Sequence, residues 1–448
     1  MKKQFCLLLT VISFVFILPL TAVAGGFAIL EQSAEGVGYG FAGAAAGYGD
    51  GSSVHFNPAA MSRIEDTKVS AGVHFVIPQA EFTNQGSTIA AALGGTPLAG
   101  GNGPDGGETG IVPNFYAIHK LNDCWTAGLG VNAPFGLGTE YSDTWVGRYQ
   151  AIKSELKTVN ITPALSYDFG NGLSFGAGLN VLYADAELSN AIDFGTIAVS
   201  RLGLPTASAL GLLPQAADGK AVVKGDDWGW GFNLGVAYQY DQNGSRFGLN
   251  YKSKIDVTLT GDADFTVPAA AAALTATGAF TDTSASSSVD LPESVAFGII
   301  HNLSDQWSLL GEVMWTNWDR FDELRVKFGN GQQDSVVDES WEDTWRFSGG
   351  VKYAASDALT LRGGITYDEE PIPDSAHRTP RIPGNDRLWL ALGASYQITD
   401  YISADLSYAH LFVNDTSSAV TGSTGEVLRG NWDLAVDIVS LQVSGQFG

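Results

Sequence analysis

Fourteen stretches of this chain alternate apolar with polar or small residues, and the connections between them alternate between short and long. Near the C-terminus, Val439, Leu441, Val443, Gly445 and Phe447 interleave with Ser440, Gln442, Ser444 and Gln446. Leu173, Phe175, Ala177, Leu179, Val181 and Tyr183 do the same with Ser174, Gly176, Gly178 and Asn180. Successive strand side chains point to opposite faces, so each stretch reads as a strand with one greasy and one wet or small-residue face. Strands are expected near 69–77, 114–120, 125–131, 159–169, 173–188, 228–240, 246–260, 290–302, 307–327, 344–354, 358–368, 386–397, 402–413 and 433–447. Tight turns fall at Asn122-Asp123, Gly170-Asn171-Gly172, 241–245, Ser304-Asp305, Ser356-Asp357 and Thr399-Asp400. Long connections occupy 78–113, 132–158, 189–227, 261–289, 328–343, 369–385 and 414–432. All long loops therefore leave one end of an up-and-down sheet and all tight turns the other. That is the layout of an all-β, 14-stranded antiparallel transmembrane barrel of a bacterial outer membrane. Closure pairs every backbone group, which an open sheet in lipid could not do. A secreted soluble β-protein shares the alternation, but its loops need not sort by length.

The start of the chain agrees with that destination. Lys2 and Lys3 precede an apolar run, Phe5 to Leu20, and the small-residue exit Ala22-Val23-Ala24. This is the order of a secretory signal peptide cut after Ala24. Cys6 leaves with it, so Cys124 is the one remaining thiol and no internal disulfide is expected. With 48 acidic against 24 basic residues, net charge is −24 and a nucleic-acid partner is excluded. A barrel in this membrane instead meets phospholipid and lipopolysaccharide.

Eight-stranded barrels fill with side chains and sixteen-stranded ones leave a water channel, so fourteen strands enclose a lumen that something must occupy. Residues 25–68 are the candidate, as an N-terminal hatch ahead of a barrel at 69–448. Between Gly25 and Gly51 there are nine glycines and six alanines, a segment able to fold tightly in a narrow tube. A phosphate-binding loop is excluded because no Gly-Lys-Ser/Thr follows and no strand precedes it.

Gly25-Gly26-Phe27, Asn57-Pro58-Ala59, Pro113-Asn114-Phe115, the run Asn132 to Trp145, Trp315-Thr316-Asn317-Trp318 and the segment Pro371-Ile372-Pro373 through Trp389 occur in an order similar to that of the FadL family of outer-membrane transporters of hydrophobic compounds. The resemblance covers nearly the whole exported chain. It implies a barrel plugged by its own N-terminus that passively carries long-chain fatty acids or, in some members, monoaromatic hydrocarbons. It also implies capture on outer loops, transfer to an internal site, hatch rearrangement, and sideways exit where the third strand kinks. By position, Phe27 would reach the internal site, Asn57, Pro58 and Ala59 would pack near the kink, and the kink would fall on Asn132, Ala133, Pro134, Phe135 and Gly136. A monomer is implied as well.

Some residues support this route independently. Pro134 cannot donate to a sheet ladder, and beside Gly136 it marks a bulge, a broken edge or a plain strand exit. Two outer loops are greasy, one with Leu202, Leu204, Leu210, Leu212 and Leu213, the other with Val267, Leu274 and Phe280. They read either as an exposed binding surface or as a lid packed on itself. Arg325 reads either as a partner for a fatty-acid carboxylate or as a rim arginine paired with Glu323. The second position at which family members place a basic residue, near Asn190, is not basic here, which leaves room for an uncharged ligand. Trp315, Trp318 and Phe321 either line the internal site or belong to the interfacial aromatic girdle.

The six histidines show no metal-ligand spacing, and no nucleophile or zinc-hydrolase motif is present, so neither an enzyme nor a cofactor is expected. A general aqueous porin needs an open bore, against which the 44-residue leader argues. A barrel-scaffold enzyme would have to assemble a Ser–His pair from distant strands.

Overall fold

The structure is a computed structural model that describes residues 26–447. The signal peptide expected over residues 1–24 lies outside the described residues. Fourteen antiparallel strands close on themselves. They are β1 (Thr67–Asn84), β2 (Gly110–Lys120), β3 (Trp125–Asn132, resumed at Gly136–Glu140), β4 (Lys153–Asp168), β5 (Leu173–Asp193), β6 (Asp218–Gln239) and β7 (Arg246–Lys252, resumed at Ile255–Thr266). Then follow β8 (Thr283–Leu291, resumed at Ser294–Asn302), β9 (Trp307–Thr316, resumed at Glu323–Phe328), β10 (Thr344–Ala354), β11 (Leu359–Asp368), β12 (Arg387–Thr399), β13 (Ile402–Val413, resumed at Thr416–Thr421) and β14 (Val427–Phe447). The seam joins β1 to β14 over the full length of β1, from Thr67 opposite Phe447 to Asn84 opposite Gly430.

The outward faces carry the greasy half of the alternation. Phe175, Leu179, Phe232, Leu249, Phe297, Leu309, Phe347, Leu361, Leu392 and Leu441 are all exposed on the barrel wall. In water such a surface would aggregate; in a bilayer it is the solvent-matched face. The inward positions of the same strands are polar or small, as with Ser70, His74, Asn114, Thr162, Asn180, Asn233 and Gln442, all buried.

Each expected strand falls on an observed one, and the two agree to within two residues at the tight-turn end. At the loop end several run further, β6 starting at Asp218 and β8 at Thr283. One expectation is overturned. Residues 414–432 do not form a long loop; β13 and β14 continue as a hairpin through Thr421 opposite Val427, turning at Gly422–Glu426.

Residues 26–66 fold inside the barrel as short helices and turns, and most are buried. The wall makes room for this segment with glycine. A Cβ at Gly248 would lie 1.9 Å from the Ala45 carbonyl oxygen, and one at Gly364 would lie 2.1 Å from that of Tyr39. Side chains lock the segment in place. Arg246 Nε donates to the carbonyls of Ala46 and Gly47 at 3.1 Å, and Glu312 accepts from the Ala45 N–H at 2.8 Å. Arg362 bridges Glu35 of the hatch (3.3 Å) and Asp405 of the wall (3.0 Å).

Candidate functional site

The wall is broken at β3, as it also is between β8 and β9, where residues 287–293 of β8 have no β9 residue across from them. β3 pairs with β2 only from Val131 opposite Phe115 down to Thr126 opposite Lys120, so Gly110–Asn114 of β2 have no β3 residue across from them. Ala133-Pro134-Phe135 leave the ladder, as the missing donor of Pro134 requires, and pairing with β4 resumes at Gly136 opposite Lys157. Thr158 patches the break on the β4 side, its hydroxyl donating to the Phe135 carbonyl and accepting from the Phe135 N–H. Higher up, Gly107 bridges to Thr139.

The leading end of the hatch occupies the break. Ile29 N–H donates to the Pro134 carbonyl at 2.8 Å, and Gly136 N–H donates to the Phe27 carbonyl at 2.9 Å. The Gln32 amide donates to the Ala133 carbonyl at 2.7 Å, and the Tyr116 hydroxyl donates to the Gln32 carbonyl at 3.0 Å. Hatch residues thus act as a short strand against Asn132–Gly136. Asn57, Pro58 and Ala59 lie elsewhere, near the tight-turn end. There the Asn57 amide donates to the carbonyls of Ala45 (2.6 Å) and Val236 (3.1 Å), and the Ala59 carbonyl accepts from Ser166 and Ser174. The hatch side chain that touches Asn132 is His55, at 2.8 Å.

Phe27 is 3% exposed and sits in a box of four rings, with centroids at 4.8 Å (Trp318), 5.3 Å (Phe321), 5.7 Å (Trp341) and 6.2 Å (Phe135). Above it opens a cavity with about 900 Å³ of space between atoms, its mouth included. Its wall is largely apolar: Leu137, Leu156, Ala184, Ala186, Val257, Leu259, Leu291, Leu324, Val326 and Ile382, with Phe27 and Phe321 as its aromatic surface. A lining of this kind suits an apolar ligand.

Charged groups stand at a few points of that wall: Glu155, Lys224, Glu339 and Arg381. Glu155 is bound to Lys157 at 2.8 Å and to Lys153 at 3.4 Å, and Lys224 is bound to Glu187 at 3.4 Å. Arg381 differs: its Nη1 donates to the Ser154 hydroxyl at 2.9 Å and the Lys153 carbonyl at 3.2 Å, neither of them a carboxylate. Burial lowers its pKa to about 10, which leaves it charged at neutral pH. Burial raises the Glu339 carboxyl to about 8, against the Trp341 hydrogen bond and the Arg381 charge, which pull the other way.

The expected site residues separate accordingly. Phe27, Trp318 and Phe321 come together. Trp315 pairs with Trp345 on the outward face and donates to Asp343 at 3.2 Å, away from the cavity. Arg325 is gripped by Glu323 (2.5 Å) and Asp334 (3.1 Å) and does not line the cavity. Two carboxylates already satisfy its guanidinium, as the rim reading requires. Arg381 and Glu339 escaped the sequence reading, although Arg381 directly precedes the noted Ile382-Pro383-Gly384 segment. In the outer loops, Leu212 and Leu274 are buried in a small core that Val267 and Phe280 pack against, whereas Leu202, Leu204, Leu210 and Leu213 remain exposed. The two greasy loops therefore do both things, packing on each other and presenting leucines outward.

Residues 15–447 match the family model described as outer membrane protein transport protein (OMPP1/FadL/TodX). The chain belongs to this family. Relatives include the putative outer membrane protein NMB0088 of Neisseria meningitidis, 30% identical over 90% of this chain and 91% of that one. The long-chain fatty acid transport protein of Escherichia coli O6:H1 is 29% identical over 87% of each chain. The crystal structure of a Pseudomonas aeruginosa FadL homologue superposes with a TM-score of 0.86 at 23% identity, covering 95% of this chain and all of that one, and so shares the fold. As a FadL/TodX-family member, the protein is an outer-membrane transporter of hydrophobic compounds and not an enzyme. The break in β3, the occupied lumen and the apolar cavity are the parts of the molecule on which such transport can act.

Proposed function

We propose that this barrel passively takes up long-chain fatty acids, holding the carboxylate at Arg381 and the tail in the apolar cavity above Phe27. The observation that carries the reading is a greasy chamber whose one guanidinium is bonded to a hydroxyl and a carbonyl rather than to an acid. A charge-assisted bond from Arg381 suits a carboxylate, and the rest of the lining suits hydrocarbon. Leu202, Leu204, Leu210 and Leu213 make the outer capture surface. Withdrawal of the leading hatch residues from Asn132–Gly136 then lets the ligand leave sideways between β2 and β3 into the membrane.

The test is uptake of oleate and of toluene by a deletion strain carrying this gene or its Arg381→Gln variant. Oleate uptake is expected to fall at least about tenfold in the variant, the loss of one charge-assisted hydrogen bond. Equal oleate uptake by both proteins, or toluene uptake alone, would favour a monoaromatic hydrocarbon held by the rings around Phe27.

A further inference from the structure

Arg381 and Glu339 both line the cavity, and the fatty-acid reading uses only Arg381. The other, Glu339, is 2% exposed, and its Oε2 accepts a 3.2 Å hydrogen bond from Trp341 Nε1. Its backbone N–H donates to the Asp322 carbonyl at 2.9 Å, which fixes where the side chain starts. An ionised carboxylate here would repel the very headgroup that Arg381 attracts. A protonated one would do the opposite, because a carboxylic acid donates a hydrogen bond and a carboxylate accepts it.

We propose that Glu339 is the specificity residue of the headgroup site: as the neutral acid it donates a hydrogen bond to the anionic headgroup beside Arg381, and as the carboxylate it competes for Arg381 and excludes the ligand. This rests on the fatty-acid reading of the cavity. Entry of an anionic headgroup into the ionised site therefore takes up one proton from solvent, which ends on the Glu339 carboxyl.

The surroundings set the pH at which this happens. Asp338, next to Glu339, raises its pKa, and Arg381, from the loop before β12, lowers it. Tyr141, from the loop after β3, acts on Arg381. Glu155 on β4 and Lys224 on β6 face the cavity too, but each is already ion-paired along the strands. Burial outweighs these charges and places the Glu339 transition at about 8. The carboxyl is neutral below that pH and ionises above it, so affinity is full at neutral pH and is lost as pH rises.

The experiment is displacement of the fluorescent fatty acid cis-parinaric acid by dodecane-1-sulfonate, whose headgroup stays ionised throughout, from protein in lipid nanodiscs between pH 6.5 and 9.5. Sulfonate affinity of the unaltered protein is expected to fall about tenfold per pH unit above pH 8, the slope of one linked proton. Glu339→Gln is expected to abolish that slope, and Arg381→Gln to weaken the sulfonate more than about tenfold at every pH. A flat profile for the unaltered protein overturns the proposal without recourse to any variant, and so does an undiminished slope in Glu339→Gln. Should Arg381→Gln leave sulfonate affinity unchanged, the headgroup reading of the cavity itself fails, whatever Glu339 does.

Discussion

The two ends of the hatch are held by different means. Its leading end, Phe27 to Gln32, touches the broken strand mainly through backbone hydrogen bonds and packs its ring among four others. Its body, from Ala34 to Arg63, is held by side chains specific to their places: Arg362 with Glu35, Glu312 with the Ala45 N–H, Arg246 with two carbonyls, and Asn57 with the wall. Backbone bonds to a kink can be remade by another extended segment, and ring contacts by another apolar group. A buried ion pair that loses one partner has no such substitute. The difference teaches that a plug can be fixed and yielding at once, provided the two properties belong to different residues.

That contrast can be broken at either end. The largest expected effect is at the body: Arg362→Ala leaves Glu35 and Asp405 buried without their cation, at a cost of about 3–5 kcal/mol. Liposomes carrying this variant should swell with small sugars, whereas those with the unaltered protein should not; tight liposomes would mean the body is not clamped by this pair. Asn57→Ala follows, leaving the buried Ala45 carbonyl and the half-buried Val236 carbonyl without the Asn57 amide at about 2 kcal/mol, read as a lower heat-modification temperature on gels. Phe27→Ala should weaken fatty-acid retention about tenfold through lost ring contacts, with little change in that temperature. A large stability loss there would erase the distinction between tip and body. The smallest effect is expected from Gln32→Ala, about 1 kcal/mol, seen as faster ligand release with an unchanged melting profile.

The barrel was legible because lipid imposes one rule on every strand: the outward face must be apolar, which prints period two on the sequence wherever the wall crosses the bilayer. Above the bilayer that rule lapses. Asp218, Lys220, Lys224 and Asp226 of β6 stand at the outward positions that Trp228, Trp230 and Phe232 fill lower down, so this part of the strand lacked the greasy face by which the others were read. The polar hairpin from Thr416 looked like a loop for the same reason. Phe27 and the kink were visible as local oddities, a ring at the head of a small-residue run and a proline at a strand end. The headgroup pair was not. Arg381 and Glu339 come from separate loops, and the sequence offered Glu323 as a partner for Arg325 without deciding whether that pair forms. What three dimensions add is Asp334 as a second carboxylate on Arg325, and an Arg381 bonded to a hydroxyl and a carbonyl instead.

The unpaired stretch of β3 sets a limit on how this wall can behave in hydrocarbon. If Phe27 and Ile29 draw back, the Pro134 carbonyl and the Gly136 N–H lose their partners, each at a penalty of about 1–3 kcal/mol where hydrocarbon takes their place. A vacated slot is thus a high-energy, short-lived state, and whatever displaces the tip must leave quickly or bring its own polar atoms. Should the proposed passage displace the tip, the same penalty would act as a spring, drawing the leading residues home without any energy source beyond the intolerance of lipid for a bare peptide group.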